Sequence, residues 1–375
     1  GNTVLDNPGS VTPGVNNSPV LVKGVFPQWS LPYTESWSLD VQHELPHGIV
    51  VDIGYYGNHG VHLVGVMDIN QPAPDAVYAL PGVTAPITRD SFQLVNLVRP
   101  FKGYGPIYEY TTNFSSNYHG LQASVQKRFG SNSLIALNYT WSHALTNLGN
   151  DGASPQNNAD IRAEYGPADF DRRHIFTADF VYAFPWLRQQ RGFAGHLLGG
   201  WEFSGIVTYN SGLFLTPLGT FNGIDPAGLG LLDPNASTTD QLTFAPPLRP
   251  DQVGNPGAPG VCASNGPPVA SNGAPVGSAD CWFNTGAFAD PTGLTPGNAR
   301  RGSIRGPGIQ RWDLSLFKNI KMTERLGMQF RAETFNVFNH TNFQGIDTTV
   351  TSSTYGQVTS THEPRIMQLG LKLNF

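Results

Sequence analysis

Apolar and polar residues alternate along nine stretches of the chain. Each stretch reads as a β-strand, because successive side chains on a strand point to opposite faces. The first sets Trp37, Leu39, Val41 and His43 against Ser38, Asp40 and Gln42, and the second sets Ile49, Val51, Ile53 and Tyr55 against Asp52 and Gly54. Leu121, Ala123 and Val125 mark the third, and Ile135, Leu137, Tyr139 and Trp141 the fourth. Phe176, Ala178, Phe180, Tyr182 and Phe184 form the fifth, and Trp201, Phe203, Gly205, Val207 and Tyr209 the sixth. Trp312, Leu314 and Leu316 mark the seventh, and Leu326, Met328, Phe330 and Ala332 the eighth. The ninth closes the sequence, with Met367, Leu369, Leu371, Leu373 and Phe375 on one face and Gln368, Gly370, Lys372 and Asn374 on the other. No long segment carries a 3.6-residue period.

The connections alternate as well. Those after the first, third and seventh strands are tight, and the one after the fifth is of moderate length. Those after the second, fourth, sixth and eighth run from about 25 to 100 residues, far beyond the usual loop of a compact domain. They are rich in Gly, Pro, Asn and Ser, as in "NPGAPGVCASNGPPVASNGAPVG". Long loops at one end and short turns at the other predict an all-β, antiparallel up-and-down transmembrane β-barrel with long extracellular loops. A soluble β-sandwich also alternates. However, these strands run about 10 to 13 residues, enough to cross a bilayer when tilted. Trp37, Tyr55, Trp141, Trp201, Tyr209 and Trp312 also gather near strand ends, where a bilayer interface favours aromatic rings.

Composition narrows the class further. Charged residues make up 13% of the 375-residue chain and the net charge is −5, so no basic face for nucleic acid is expected. No apolar run is long enough for a transmembrane helix, which says nothing against a barrel. Cys262 and Cys281 share one Gly/Pro-rich stretch. They are too few for a structural zinc site, and they read as a candidate disulfide in an oxidising compartment.

Chemistry-bearing residues are few. His43 and His47 lie at the tight-turn end of the first hairpin and His59 and His62 at the opposite end of the next strand, so they do not form a metal site. "DFDRRH" brings together Asp169, Asp171, Arg172, Arg173 and His174. Its arginines neutralise the carboxylates, so salt bridges fixing a loop outweigh a calcium site. Arg300, Arg301, Arg305 and Arg311 gather ahead of the seventh strand, where anionic head groups or solvent would receive them. No nucleophile elbow, Walker loop or HExxH motif is present, and neither catalysis nor a cofactor is expected.

On the polar strand faces, Asp313, Arg331 and Glu333 form a candidate lumenal charge network. With "KMTER" as the turn, Asp313 faces Glu333 and lies diagonal to Arg331, within reach of a long side chain. An alternative role for this network is contact with a plug or a passing solute.

An odd strand number is unusual for a single-chain bacterial barrel. The segment is therefore expected to be the C-terminal part of a larger barrel, with residues 1–32 an extracellular loop segment and 33–375 the barrel part. Within it, 213–310 is a long extracellular loop holding the cysteine pair.

"YTESWSLDVQHELPHGIVVDIGYYGNHGVHL", "YGPADFDRRHIFTADFVYAFP" and "NARRGSIRGPGIQRWDLSLFKNIKMTERLGMQFRAETFNVFNHTNFQG" resemble successive hairpins of the Oar-like TonB-dependent outer-membrane receptors of Acidobacteria. The resemblance runs from about Pro32 to Phe375. It implies a barrel of about 22 strands, a plug domain and an energy-coupling box upstream, and an inner-membrane TonB-type complex as partner. It also implies residence in a Gram-negative outer membrane among its lipids, with a periplasmic C-terminus. Met367, Leu369, Leu371, Leu373 and Phe375 are a candidate C-terminal signal for the barrel assembly machinery, a role carried over from barrel proteins generally. The expected function is uptake or export of an unidentified ligand captured by the outer loops. The alternative is a structural or adhesive surface protein that transports nothing.

Overall fold

The chain reverses tightly at Pro46-His47-Gly48, where His47 and Gly48 both take left-handed backbone angles, φ 71° and 67°. Glycine enters that region freely, and a residue with a Cβ does so at a cost. The two strands joined here begin a long meander. The computed structural model describes residues 20–88, 90–130, 132–149, 154–219, 224–230, 248–260, 262, 273–291, 295–323 and 326–375.

Among the described residues, nine long strands follow one another: β1 Tyr33–Leu45, β2 Ile49–Asp68, β3 Tyr104–Phe129, β4 Ser133–Thr146, β5 His174–Ala183, β6 Trp201–Asn210, β7 Ile309–Lys321, β8 Gly327–Phe335 and β9 Ile366–Asn374. Each pairs antiparallel with the next, so sheet order equals sequence order. β1 and β9 are the two edges, and the sheet is not closed. Every residue of β1 is exposed, as an edge with no neighbour on one side must be.

The apolar face is continuous across strands. Trp37, Leu39 and Val41 stand opposite Gly57, Tyr55 and Ile53. Leu314 and Leu316 stand opposite Gly205 and Phe203, and Met328, Phe330 and Ala332 opposite Leu373, Leu371 and Leu369. Much of this face is open to the surroundings, including Leu39, Val41, Leu137, Phe330, Leu369 and Leu371. Trp37 lies flat over Gly57, so close that a Cβ there would fall 2.1 Å from the indole. An aromatic covering a cross-strand glycine in this way restores packing that glycine cannot supply.

Two strands exceed the expected span, β2 with 20 residues and β3 with 26. Their register shifts at Gly60, Leu63 and Gly65, and His62 there has φ 56°. Below this bulge the hairpin is exposed on its apolar face. Above it Val66, Tyr108 and Phe114 are buried, because loops cover them. The extension also carries a further strand, Val20–Val25, paired in parallel with Tyr104–Tyr110. It falls inside the stretch expected to be loop, whereas residues 1–19 lie outside the described residues.

The principal apolar cores lie outside the meander. One contains Phe283, Ala287, Phe288, Ala299, Ile304, Val350 and Tyr355, and another Val77, Ile87, Phe92 and Val95. All of these belong to the long connections. The strands therefore hide few of their own apolar side chains, whereas the loops build packed layers of their own.

The face assignment is testable by cysteine scanning. Cysteines at Leu314, Leu316, Met328, Phe330, Leu369 and Leu371 should react with a lipid-soluble maleimide. Those at Asp313, Arg331, Glu333 and Gln368 should react with an impermeant thiol reagent. Register fixes the set as a whole, so equal labelling of both series by the lipid-soluble reagent would invert or abolish the assignment.

Candidate functional site

The described parts of the four long connections, 69–103, 147–173, 211–308 and 336–365, meet at one end of the sheet. A short strand pair, Ile87–Thr88 with Ile224–Asp225, ties the first connection to the third, and another, Phe214–Leu215 with Ile304–Arg305, closes the third on itself. Phe343–Ile346 and Val358–Thr361 make a hairpin within the last loop. Val350 N–H donates to the Leu218 carbonyl at 2.8 Å, which joins the last loop to the long one.

Buried polar residues clasp these loops together. Arg249 and Glu164, both buried, form a two-pronged ion pair with contacts of 2.8 and 2.7 Å. Gln156 extends it, accepting the Arg249 N–H at 2.7 Å and donating to the Gly297 carbonyl at 3.0 Å. Gln71 then links to Gln156 and Asn158. Nearby, the fully buried Asn70 side chain donates to the carbonyls of Phe101, Tyr104 and Gly105 and accepts the Phe101 N–H. Arg99, also buried, donates to the Asn70 carbonyl at 2.8 Å and lies 3.7 Å from Asp68. Breaking a buried ion pair from one side strands the other charge, which costs about 3–5 kcal/mol. Glu164→Ala should therefore loosen the loop layer by that amount, seen as faster hydrogen exchange in 147–173 and 211–308 with exchange in the strands unchanged.

"DFDRRH" forms a junction, and its residues are dealt out to different partners. Asp169 takes Arg301 at 3.3 Å. Asp171 bonds the His143 ring at 2.7 Å and accepts the Ala144 N–H at 2.9 Å. Arg172 donates to the Ser211 carbonyl, and His174 bonds the Tyr139 hydroxyl. Arg173 and Arg305 both stack on Phe214. Burial, then the neighbouring Arg173, pushes the Arg305 pKa below the ordinary arginine value, and Asp171 opposes that shift. The four arginines, three ahead of β7 and Arg311 within it, do not act as one patch, and Arg300 is exposed. Arg301 is buried against the Leu148 carbonyl and Asp169, Arg305 donates to the Gly212 carbonyl, and Arg311 pairs with Asp313.

The histidines stay apart. His59 bonds Asn117 and His62 lies against the Thr112 carbonyl, whereas His43 pairs with Val51. His59 lies about 26 Å along β2 from Val51 at the usual strand rise. Among the described residues, no group of three or more His, Cys, Asp or Glu side chains could hold a metal ion.

Cys262 and Cys281 are joined by a disulfide within the long loop. It is buried against Phe283, whose carbonyl approaches both sulfurs. Closing a loop of about 20 residues stabilises by roughly 3 kcal/mol in the chain-entropy model. Replacing both cysteines by serine should soften the loop layer by that amount and leave detergent refolding of the strands unchanged. Mass spectrometry of non-reduced peptides from outer membranes should show the linked pair.

One expected register is corrected. β7 and β8 close with Lys321 opposite Gly327, which places Ser315 opposite Glu333 and Phe317 opposite Arg331. The turn lies one residue later than "KMTER". The Leu326 carbonyl accepts the N–H groups of both Met322 and Thr323, and the Thr323 hydroxyl accepts the Leu326 N–H. Asp313, Arg331 and Glu333 keep a common face, but Arg331 does not meet Asp313. Asp313 takes Arg311 and caps the Asn336 N–H, whereas Arg331 donates to Gln329 and lies over Phe317.

The profile of the outer membrane beta barrel domain family matches residues 2–368. No curated protein matches the chain. Solved structures similar to it include the outer membrane transporter YddB from Escherichia coli, 10% identical, with a TM-score of 0.46 over 95% of this chain. They also include the pyoverdine outer membrane receptor FpvA from Pseudomonas aeruginosa, 9% identical, TM-score 0.36 over 92%. The FrpB iron transporter from Neisseria meningitidis is 10% identical, TM-score 0.38 over 94%. The chain spans 34%, 30% and 32% of those proteins, about a third of each.

Proposed function

Since the chain belongs to the outer membrane beta barrel domain family, we propose that it is the C-terminal wall of an Oar-like TonB-dependent transporter. Its long loops face outward to capture ligand, and its tight turns and C-terminus lie in the periplasm. In this reading, residues 33–375 supply barrel strands and 213–310 the largest capture loop. Further strands of the same protein complete the sheet at β1 and β9. A plug and an energy-coupling box belong to another part of the protein, through which a TonB-type complex acts.

The observation that carries this reading is the clasp of Arg249, Glu164, Gln156 and Gln71, which holds three long loops in one layer over an open meander. Ordering long loops costs conformational entropy. A protein that only anchored strands in lipid would have no need to offset that cost with buried ion pairs. A preorganised layer at the mouth of a barrel supports selective capture, since ligand binding then orders less chain.

The test uses the full-length protein in its own outer membrane. Ligand accumulation, screened with a metabolite mixture by mass spectrometry, should depend on the gene and collapse when a protonophore dissipates the proton-motive force. Binding that persists without any energised accumulation would favour the adhesive or structural role instead.

A further inference from the structure

The connection between β5 and β6, residues 184–200, is longer than the turns β1–β2, β3–β4 and β7–β8. It folds back over the apolar face of the sheet. The cause is visible at Lys318, which stands on that face directly opposite Trp201 and Phe330. A bare ammonium group facing lipid is costly, and Lys318 is relieved by the end of the short helix Gly192–Leu198. Its Nζ donates to the Leu197 carbonyl at 3.1 Å and to the Gly199 carbonyl, and it lies 5.0 Å from the Trp201 ring centre. Trp201 Nε1 donates to the same Leu197 carbonyl at 3.0 Å.

A second tie fixes the segment. The buried Gln190 side chain donates to the Asn319 carbonyl at 2.7 Å and accepts the Lys321 N–H at 2.9 Å. Leu187 and Gln190 hold left-handed backbone angles to reach this position, φ 46° and 51°. The segment is thus tied by its polar groups, and its apolar ones are left uncovered: Trp186, Phe193, Leu197 and Leu198 are all more than half exposed. Between the segment and the wall opens an apolar cleft of about 570 Å³, lined by Phe184, Trp186, Leu187, Leu198, Trp201 and Leu316. Leu316 belongs to the lipid-facing surface, so the cleft is continuous with the bilayer. The same segment carries exposed Arg188 and Arg191, and no Asp or Glu occurs between residues 184 and 200.

We infer that this segment is a site for one anionic phospholipid, with an acyl chain in the cleft and the phosphate held by Arg188 and Arg191. The chemistry is complementary at both ends: an apolar slot opening onto hydrocarbon, and two cations with no neighbouring carboxylate in the segment. The site rests on the proposed orientation, which puts the tight-turn end at the phospholipid leaflet. It does not depend on transport, so loss of energised accumulation would leave it standing.

Native mass spectrometry of the full-length protein, released from nanodiscs of mixed phosphatidylglycerol and phosphatidylcholine, tests the inference. The wild-type protein should retain one phosphatidylglycerol in preference to phosphatidylcholine. Arg188→Gln with Arg191→Gln should reduce that preference roughly tenfold, since each arginine near an anionic surface is worth a few-fold in affinity. Leu198→Trp, which fills the cleft, and Trp186→Ala, which removes one wall, should each reduce retention of both lipids, with heat-modifiable mobility confirming that the barrel is intact. Equal retention of the two lipids by the wild-type protein, or unchanged retention in the arginine double variant, would overturn the headgroup assignment. Undiminished retention in both cleft variants would overturn the acyl slot. Preferential retention of added lipid A over phosphatidylglycerol would overturn the phospholipid assignment and the leaflet with it.

Discussion

Expressed alone with a signal sequence, residues 20–375 are expected to yield no heat-modifiable monomer in outer membranes, whereas the full-length protein does. The sheet has two free edges, β1 and β9. An edge strand presents a row of unpaired N–H and C=O groups, and lipid offers them no water. Each such group costs several kcal/mol in hydrocarbon. β1 alone is 13 residues long, and about half its backbone groups point away from β2. The total exceeds the whole stability of a typical domain, so the effect should be all or none. Two escapes are open to the isolated segment: aggregation through the edges, or artificial closure of β1 on β9. Semi-native electrophoresis of isolated outer membranes separates the outcomes. A folded, heat-modifiable monomer from the segment alone would show that nine strands suffice, and the proposed strands beyond β1 would lose their reason.

The strands were legible because their signal is local. A period of two needs only the residues of one strand, and all nine alternating stretches fall on the nine long strands, overrunning them by one residue at Phe184, Leu326 and Phe375. Legibility ended where the cause became non-local or turned on a single side chain. β2 and β3 run past the expected span, since above the bulge at Gly60–Gly65 loops cover what lipid or water would otherwise face, and alternation stops being informative. The β7–β8 register moved by two because Thr323 places the turn, a choice that apolar spacing does not encode. The helix Gly192–Leu198 is too short to establish a 3.6-residue period. Composition marks the long connections as loops, yet the polar clasp inside them joins Glu164 to Arg249, 85 positions apart. Nothing near either residue in sequence announces the other. The separation of Asp313 from Arg331 follows from the same shift in register.

Deleting Phe375 from the full-length protein should leave refolding in detergent nearly intact and sharply reduce assembly in cells, with the protein degraded in the periplasm. The geometry separates these two outcomes. The last cross-strand pair is Gly327 with Asn374, so Phe375 lies beyond the ladder, and its side chain is fully exposed. Removing it breaks no strand pairing. As a girdle residue it would contribute at most about 1.5–3 kcal/mol by burial in lipid, spread over a complete barrel. Met367, Leu369, Leu371 and Leu373 are exposed on the same face. Together with Phe375 they form an apolar row along β9, the row proposed as the signal for the assembly machinery. A receptor reading that row would lose its aromatic anchor, and in binding sites a single aromatic often outweighs its burial area. Comparing detergent refolding yield with surface abundance, by gel shift and by whole-cell labelling, distinguishes recognition from stability. A fall in both measures to the same extent would make Phe375 a stability residue. Unchanged surface abundance would leave it an ordinary member of the interfacial girdle.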